Sequence, residues 1–355
     1  MNSYPNLPTI LNDLPYHYYY PQADKFLELN LPFKNFSTLP LLPDMGKNSA
    51  NILKAFKPTV PSPVIIPFKP SAKIEHICRQ NNWKLVAVDS KLNRLLEDKL
   101  LFTNLALANN IPTIPHLIGP LASSLIDQSQ KLFGPQLVIQ THFGWAGSST
   151  YLYNLTNQLT VPQGTPVKIM PLLEGATYTN NCCLTKWGSI VGPPALQING
   201  LPTLSSNSFA TTGRQWPSFL PDRHLKKIQK VSQDIVKLLQ KLDFRGFYGV
   251  DYLITQKDIY VLEINPRLTA SSNFYTQLEL KNNLIPTIYW HLAEFLDLKL
   301  PSINYDFKLY FSHALEGTEI TPKSAEGHTI AKHWFWQPVA KHYPPVYDLQ
   351  KINDL

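Results

Sequence analysis

The stretch from Phe247 to Arg267, FYGVDYLITQKDIYVLEINPR, constrains this chain more than any other. Two runs rich in β-branched and aromatic residues, 247–254 and 259–264, flank the polar turn 255–258, which is the signal of a β-hairpin. Side chains alternate between faces along a strand. That alternation puts Val250, Tyr252 and Ile254 with Tyr260, Leu262 and Ile264 on an apolar face, and Gly249 and Asp251 with Val261, Glu263 and Asn265 on the other. A turn centred near Lys257 sets Asp251 directly opposite Glu263. Two carboxylates in a cross-strand pair repel one another, so the pairing is expected chiefly where a cation sits between them. Oxygen-only ligands favour Mg²⁺, with Mn²⁺ as the alternative, and Asn265 adds a neutral oxygen two residues beyond Glu263. Arg267, just past Pro266, is placed to meet a phosphate. Taken alone, the hairpin leaves open a polar face that is merely solvated.

With 355 residues, 44% hydrophobic and 16% charged, the chain is able to bury a large core in two or three lobes. No apolar run reaches the roughly 18 residues that span a bilayer. The stretch MNSYPNLPTILNDLPYHYYY lacks a basic segment followed by a long apolar core. A soluble, cytoplasmic protein with no membrane partner is expected. Cys78 and the adjacent Cys182 and Cys183 offer neither a disulfide framework nor zinc spacing, and read as buried small hydrophobes. The net charge of +7 is scattered rather than gathered into a stripe, which argues against a nucleic-acid partner and suits anionic small molecules.

Along the chain, 64–68 and 83–89 are short apolar segments separated by a helical stretch, 71–81, which predicts a small βαβ-like arrangement. There is no Gly-x-Gly-x-x-Gly here and so no dinucleotide fingerprint. Tyr16, Tyr18, Tyr19 and Tyr20 read as packing or an interface, with a substrate pocket as the alternative. Residues 90–110 carry leucines and alanines at helical spacing and stop at Ile111-Pro112. The apolar strand 137–140 leads into a glycine-containing turn, 141–150, whose backbone N–H groups are free of side-chain obstruction for closing over phosphates. Residues 177–184 and 188–191 read as an antiparallel pair with Lys186 at its tip. The segment 196–214 is polar and long for a connection, which marks it as a functional loop, with Gln197 and Arg214 as candidates to touch substrate. Apolar residues at helical steps from Leu225 to Leu242 predict an amphipathic helix. Beyond the hairpin, 284–298 is a helix-length apolar stretch, and 307–311 reads as a strand. The cluster His328, His333, Trp334, Phe335, Trp336 and His342 reads as aromatic packing.

In chain order, Asp98-Lys99, the strand and glycine turn, VKIMPLL followed by Glu174-Gly175, and finally GVDYL with EINPR resemble the ATP-grasp superfamily over roughly residues 91–275. The resemblance implies an α/β (α+β) fold of three lobes. These are a pre-ATP-grasp α/β lobe at 1–95, a linker and central lobe with the phosphate loop at 96–175, and a C-terminal lobe with the metal site at 176–355. ATP would lie between two antiparallel-sheet lobes. Lys99 would contact phosphate, under a loop carrying Gly144, Gly147 and Ser148 that follows Gln140. Backbone groups from Met170 to Leu172 would meet adenine, and Glu174 the ribose. Asp251, Glu263 and Asn265 would hold Mg²⁺, while Arg267 and Lys99 neutralise charge moving in the reaction. Family members commonly carry a lysine where this chain has Gln140, and Trp145 adds bulk to a loop that is usually glycine-rich.

The activity so implied is that of an ATP-dependent carboxylate–amine ligase working through an acylphosphate on a small amino-acid-like or peptide substrate. Its partners would be small carboxylates and amines, with Ser271, Ser272 and Asn273 bordering the acceptor, and a homodimer stays open. A non-catalytic ATP-binding protein and a biotin-carboxylase-like carboxylating enzyme are the alternatives. The absence of a Gly-x-Ser-x-Gly elbow agrees with chemistry that needs no side-chain nucleophile.

Overall fold

Three sheets follow one another along the chain without sharing a strand. They are seen in a computed structural model that describes residues 17–21, 35–39, 49–144, 147–154, 159–201, 204–205, 207–296, 298, 306–321 and 332–334.

The first sheet gathers β1 (Tyr18–Pro21), β2 (Phe36–Leu39), β3 (Val64–Ile65) and β4 (Lys84–Leu85) in the order β2-β1-β3-β4, all parallel. Helix α1 (Ser49–Ala55) precedes β3, and α2 (Ala72–Gln80) joins β3 to β4, which is the expected βαβ unit. Ser71 starts α2 by accepting a hydrogen bond from the Ile74 N–H at 3.3 Å. Strand alternation divides the tyrosines. Tyr18 and Tyr20 pack in one core with Tyr289 and Trp290, and Tyr19 in another with Ile74 and Cys78. They are packing residues, while Tyr16 lies outside the described residues.

The helix expected over 90–110 is two helices, α3 (Ser90–Glu97) and α4 (Lys99–Ala108). Asp98 breaks it with an extended backbone (φ −68°, ψ 108°), and its carboxylate caps α4 by accepting from the N–H groups of Leu100 at 3.0 Å and Leu101 at 3.1 Å. The second sheet follows, with β5 (Leu117–Pro120), helix α5 (Ser123–Phe133), β6 (Leu137–Gln140), β7 (Thr150–Tyr153) and β8 (Pro166–Pro171). It is antiparallel, in the order β5-β8-β6-β7. Leu137, Ile139, Val167 and Ile169 cover one face together with Ile126 of α5, leaving Val138 and Met170 on the other.

The third sheet is the largest. Its strands are β9 (Ala176–Thr185), β10 (Gly188–Val191), β11 (Ala195–Asn199), β12 (Thr211–Trp216), β13 (Gly246–Ile254), β14 (Ile259–Asn265), β15 (Gly317–Ile320) and β16 (Lys332–Trp334). The order is β14-β13-β9-β11-β12-β15-β16, with β10 beside β9, and every pairing is antiparallel. Helix α6 (Asp222–Lys241) lays Ile228, Ile235 and Leu239 into the same core as Val250, Tyr252 and Ile264. Each such side chain contributes about 1.5–3 kcal/mol when fully buried. Helices α7 (Ser272–Lys281), α8 (Thr287–Phe295) and α9 (Leu309–Ser312) complete the described elements.

Two expectations change here. The segment 196–214 is not a single loop but carries β11 and most of β12, paired so that Gln197 faces Arg214. Leu196 and Ile198 are buried between polar neighbours, so the strands are half-polar, and polarity alone suggested a loop. Residues 309–312 form a short helix, α9, in the stretch that reads as a strand. His328, Phe335, Trp336 and His342 lie outside the described residues. All three cysteines are free and buried. Among the described residues no helix is long and apolar enough to cross a membrane.

Candidate functional site

The β13–β14 hairpin has the expected register at its functional end, with Asp251 opposite Glu263. It departs from simple alternation immediately afterwards. The next pair is Tyr252 with Val261, so one extra residue, Leu262, is accommodated by a β-bulge. Beyond the bulge the faces exchange. Ile259, Val261 and Ile264 are the buried partners of Val250, Tyr252 and Ile254, whereas Tyr260 and Leu262 turn to the opposite side. The apolar set expected from strict alternation is therefore corrected at Tyr260, Val261 and Leu262. Leu262 and Glu263, consecutive in sequence, both line one large cavity.

This cavity, of about 560 Å³, lies between the second and third sheets. One end is apolar, walled by Ile114, Val138, Met170, Leu253 and Leu262. The other is charged and brings together Lys99, Asp251, Glu263, Asn265 and Arg267. Lys99, the first residue of α4, is buried; its ammonium meets Glu263 at 2.5 Å and donates to the Gly144 carbonyl at 3.0 Å. Asp251 accepts from Gln197 Nε2 at 3.0 Å and from Asn265 Nδ2 at 3.3 Å. Arg267 donates to Glu97 at 2.6 Å, to Asn265 Oδ1 at 3.0 Å and to the Leu268 carbonyl at 2.9 Å. Its guanidinium carbon lies 4.8 Å from the centre of the Phe68 ring, and Lys69 also pairs with Glu97. Glu97 of α3, with Phe68 and Lys69 just past β3, thus holds the arginine in place.

Electrostatics separate the two carboxyls. Burial first, and then the Glu263 charge, push Asp251 up to about 7. Burial also opposes ionisation of Glu263, but Lys99, Arg267 and the hydrogen bond with Asp251 together hold it below the usual carboxylate range. The pair is short of positive charge, and the Lys99 ammonium supplies part of what is needed. Two carboxylates and the Asn265 amide oxygen fit a hard divalent cation, with phosphate oxygens and water as the remaining ligands. Among the described residues no third histidine, cysteine or carboxylate joins them.

The phosphate-loop residues divide. Gln140, Gly144 and Gly147 line the cavity. A Cβ on Gly144 would lie 2.3 Å from that of Ser149, and Gly147 takes φ +79° against the Phe209 backbone, so both positions require glycine. Ser148 is exposed and outside the wall, where buried Ser149 takes its place. Trp145 lies outside the described residues. Met170 and Leu172 line the cavity, although the Leu172 N–H already donates to the Gln136 carbonyl at 3.1 Å. Glu174 is exposed and does not reach the wall. Ser271 and Ser272 turn inward, with Ser271 accepting from Asn181 at 3.0 Å, and it is Thr269 and Ala270 that face the cavity.

Two charged residues escaped the sequence reading. Glu319 of β15 pairs with Arg214 of β12 at 3.2 Å in the cavity wall, an encounter between strands distant in sequence. Lys168 of β8 is buried, donating to Thr103 Oγ1 at 3.2 Å. Its sequence signal, a lone lysine within an apolar strand, was visible.

The sequence matches the ATP-grasp domain family over residues 96–271, the span that supplies Lys99, the glycine turn and the hairpin. Residues 96–271 are an ATP-grasp domain. Solved structures that resemble the chain share its fold at low identity. N5-carboxyaminoimidazole synthetase from Staphylococcus aureus, complexed with ADP, superposes with a TM-score of 0.58 at 13% identity, covering 87% of this chain and 83% of that one. A biotin carboxylase–beta-gamma-ATP complex from Campylobacter jejuni gives 0.54 at 14%, covering 73% and 58%. The biotin carboxylase domain of a Hydrogenobacter thermophilus 2-oxoglutarate carboxylase, bound to MgADP and bicarbonate, gives 0.52 at 14%, covering 78% and 70%. No curated protein sequence matches the chain. The ATP-grasp domain ends shortly before α7, whereas the likeness to the S. aureus structure covers far more of the chain than the domain alone.

Proposed function

We propose that this protein is an ATP-dependent ligase that activates a carboxylate as an acylphosphate and transfers its acyl group to an amine. The observation that carries this reading is the Asp251–Glu263 pair beside Lys99, at the charged end of a cavity whose other end is apolar. Ile114, Val138, Met170 and Leu262 suit the faces of a base. Mg²⁺ held by Asp251, Glu263 and Asn265 would neutralise phosphate charge when bound. Lys99 and Arg267 orient the phosphate chain and balance charge as it moves toward the leaving ADP. A carboxylate oxygen forms the bond to the γ-phosphorus as the bond to ADP breaks; the amine then attacks the acyl carbon and phosphate leaves. Arg214 and Glu319 give the wall charges of both signs, which supports a small amino-acid-like or peptide substrate.

A second reading, carboxylation of an amine with bicarbonate, is suggested by the carboxyaminoimidazole synthetase and the bicarbonate-bound carboxylase domain among the structures that share the fold. Both are tested by following phosphate and ADP release from MgATP with amino acids, dipeptides and amines, with and without bicarbonate. Release that requires an amino acid supports the first reading; release that requires bicarbonate supports the second. ATP binding without release in any mixture would leave a nucleotide-binding protein. Asp251→Asn and Glu263→Gln are expected to slow release by at least about 100-fold, and full activity in both would overturn the metal assignment.

A further inference from the structure

Lys168 lies in the pair β6–β8 directly opposite Gln140, two residues along from the pair Val138 and Met170 and so on the same face. Directly opposed residues in an antiparallel pair share a face. Val138, Met170 and Gln140 line the cavity, so Lys168 starts from the cavity face of the sheet. Its side chain is buried, with 4% of the residue exposed, and makes no ion pair among the described residues. The acceptor for its ammonium is the hydroxyl of Thr103, which itself donates to the Lys99 carbonyl at 2.6 Å. Lys168 therefore ends one helical turn from the backbone of Lys99, about 5.4 Å along α4. A buried ammonium held by a single neutral hydroxyl is poorly compensated and calls for an anion. Burial, and then the nearby Lys99 charge, lower its proton affinity to about 8, against a smaller contribution from Glu263 in the other direction. Opposite it, the Gln140 Oε1 atom is buried without a described partner, while the amide nitrogen holds Thr150 at 3.1 Å.

We infer that Lys168 is a phosphate-binding residue, placing on β8 the positive charge that grips the phosphate chain of the nucleotide beside Lys99. The inference rests on the ATP-dependent reading above. Two lysines directly opposed across β6 and β8 would repel each other, so a charge at 168 explains a neutral, hydrogen-bonding residue at 140. The flexible lysine stem lets the ammonium exchange Thr103 for a phosphate oxygen near Lys99.

The test is calorimetric titration with MgATP, MgADP and adenosine. Lys168→Met should raise Kd for both nucleotides by roughly 10- to 100-fold, the value of one hydrogen bond to a charged group, and leave adenosine unchanged. Its Tm should not fall, because a poorly paired buried charge is exchanged for an apolar chain of similar length. The swap Gln140→Lys with Lys168→Gln should restore nucleotide affinity to within about threefold of wild type, since the cation stays on the same face. Wild-type affinity in folded K168M, or a swap more than about threefold weaker than wild type, overturns the role of Lys168 alone. If K168M does not fold, the swap decides by the same threshold. A wild-type protein that binds neither nucleotide removes the ligase reading and this inference together.

Discussion

Replacing Lys99 by methionine tests the charged end of the cavity without any ligand present. The ammonium and Glu263 approach to 2.5 Å, with side-chain exposures of 7% and 24%. Exposed ion pairs contribute up to about 1 kcal/mol, whereas breaking a fully buried pair costs 3–5 kcal/mol, so a pair open on the glutamate side belongs at about 2 kcal/mol. Losing the hydrogen bond to the Gly144 carbonyl adds about 1 kcal/mol, giving about 3 kcal/mol for Lys99→Met. Glu263→Gln costs less, because it also relieves the repulsion with Asp251. The double variant should then be about 2 kcal/mol more stable than the sum of the two losses allows. Urea denaturation of wild type, both single variants and the double variant at pH 7, without nucleotide or metal, measures this coupling. Additivity within about 0.5 kcal/mol would show that the contact contributes no coupling, and the electrostatic account of the site would fail.

His291 gives a pH prediction distant from the cavity. Burial holds it down to about 3 from an ordinary 6.5, and its Nδ1 accepts from the Phe247 N–H at 3.0 Å, so the folded protein keeps the ring neutral. A group with a lowered folded value contributes stability above the unfolded value and loses it as pH falls toward the folded one. Between pH 6.5 and 4 the loss reaches about 3 kcal/mol. The urea stability of wild type relative to His291→Gln should fall by about that amount across the window, and parallel pH curves would refute it. The bulge predicts an inverted ranking on β14. Val261→Ala should cost about 2 kcal/mol and Tyr260→Ala less, despite the larger truncation, because Val261 is buried in the core and Tyr260 is only partly buried on the opposite face. Thermal unfolding of the two variants measures the order.

The parts of the site legible in the sequence were those set by local rules. Turn chemistry and alternation were enough to place Asp251 across from Glu263, whereas the break at Asp98 was hidden inside a continuous helical pattern, and Lys99 stood out only through the family resemblance. What escaped needed information from outside each segment. The bulge at Leu262 leaves no mark beyond a break in alternation, since a leucine facing a cavity reads like one facing a core. Gln197 and Arg214 were singled out, but their strands resembled a loop because one face of β11 and β12 is polar toward the cavity. Glu319 meets Arg214 only through the pairing of β12 with β15, and the partnership of Lys168 with Gln140 only through the register of β6 with β8. In the 141–150 stretch it is Ser149, next to the expected Ser148, that lines the cavity, a difference of one position that the resemblance does not resolve.

The bulge also fixes a length. Because it turns Leu262 and Glu263 to the same side, the apolar end of the cavity and its acidic end meet across one peptide bond, with Cα atoms about 3.8 Å apart. That junction is set by covalent geometry, which neither repacking nor sheet motion stretches. Deleting the extra residue would restore simple alternation and leave Leu262 and Glu263 on opposite faces of β14, so the acidic end would lose its apolar neighbour along the strand.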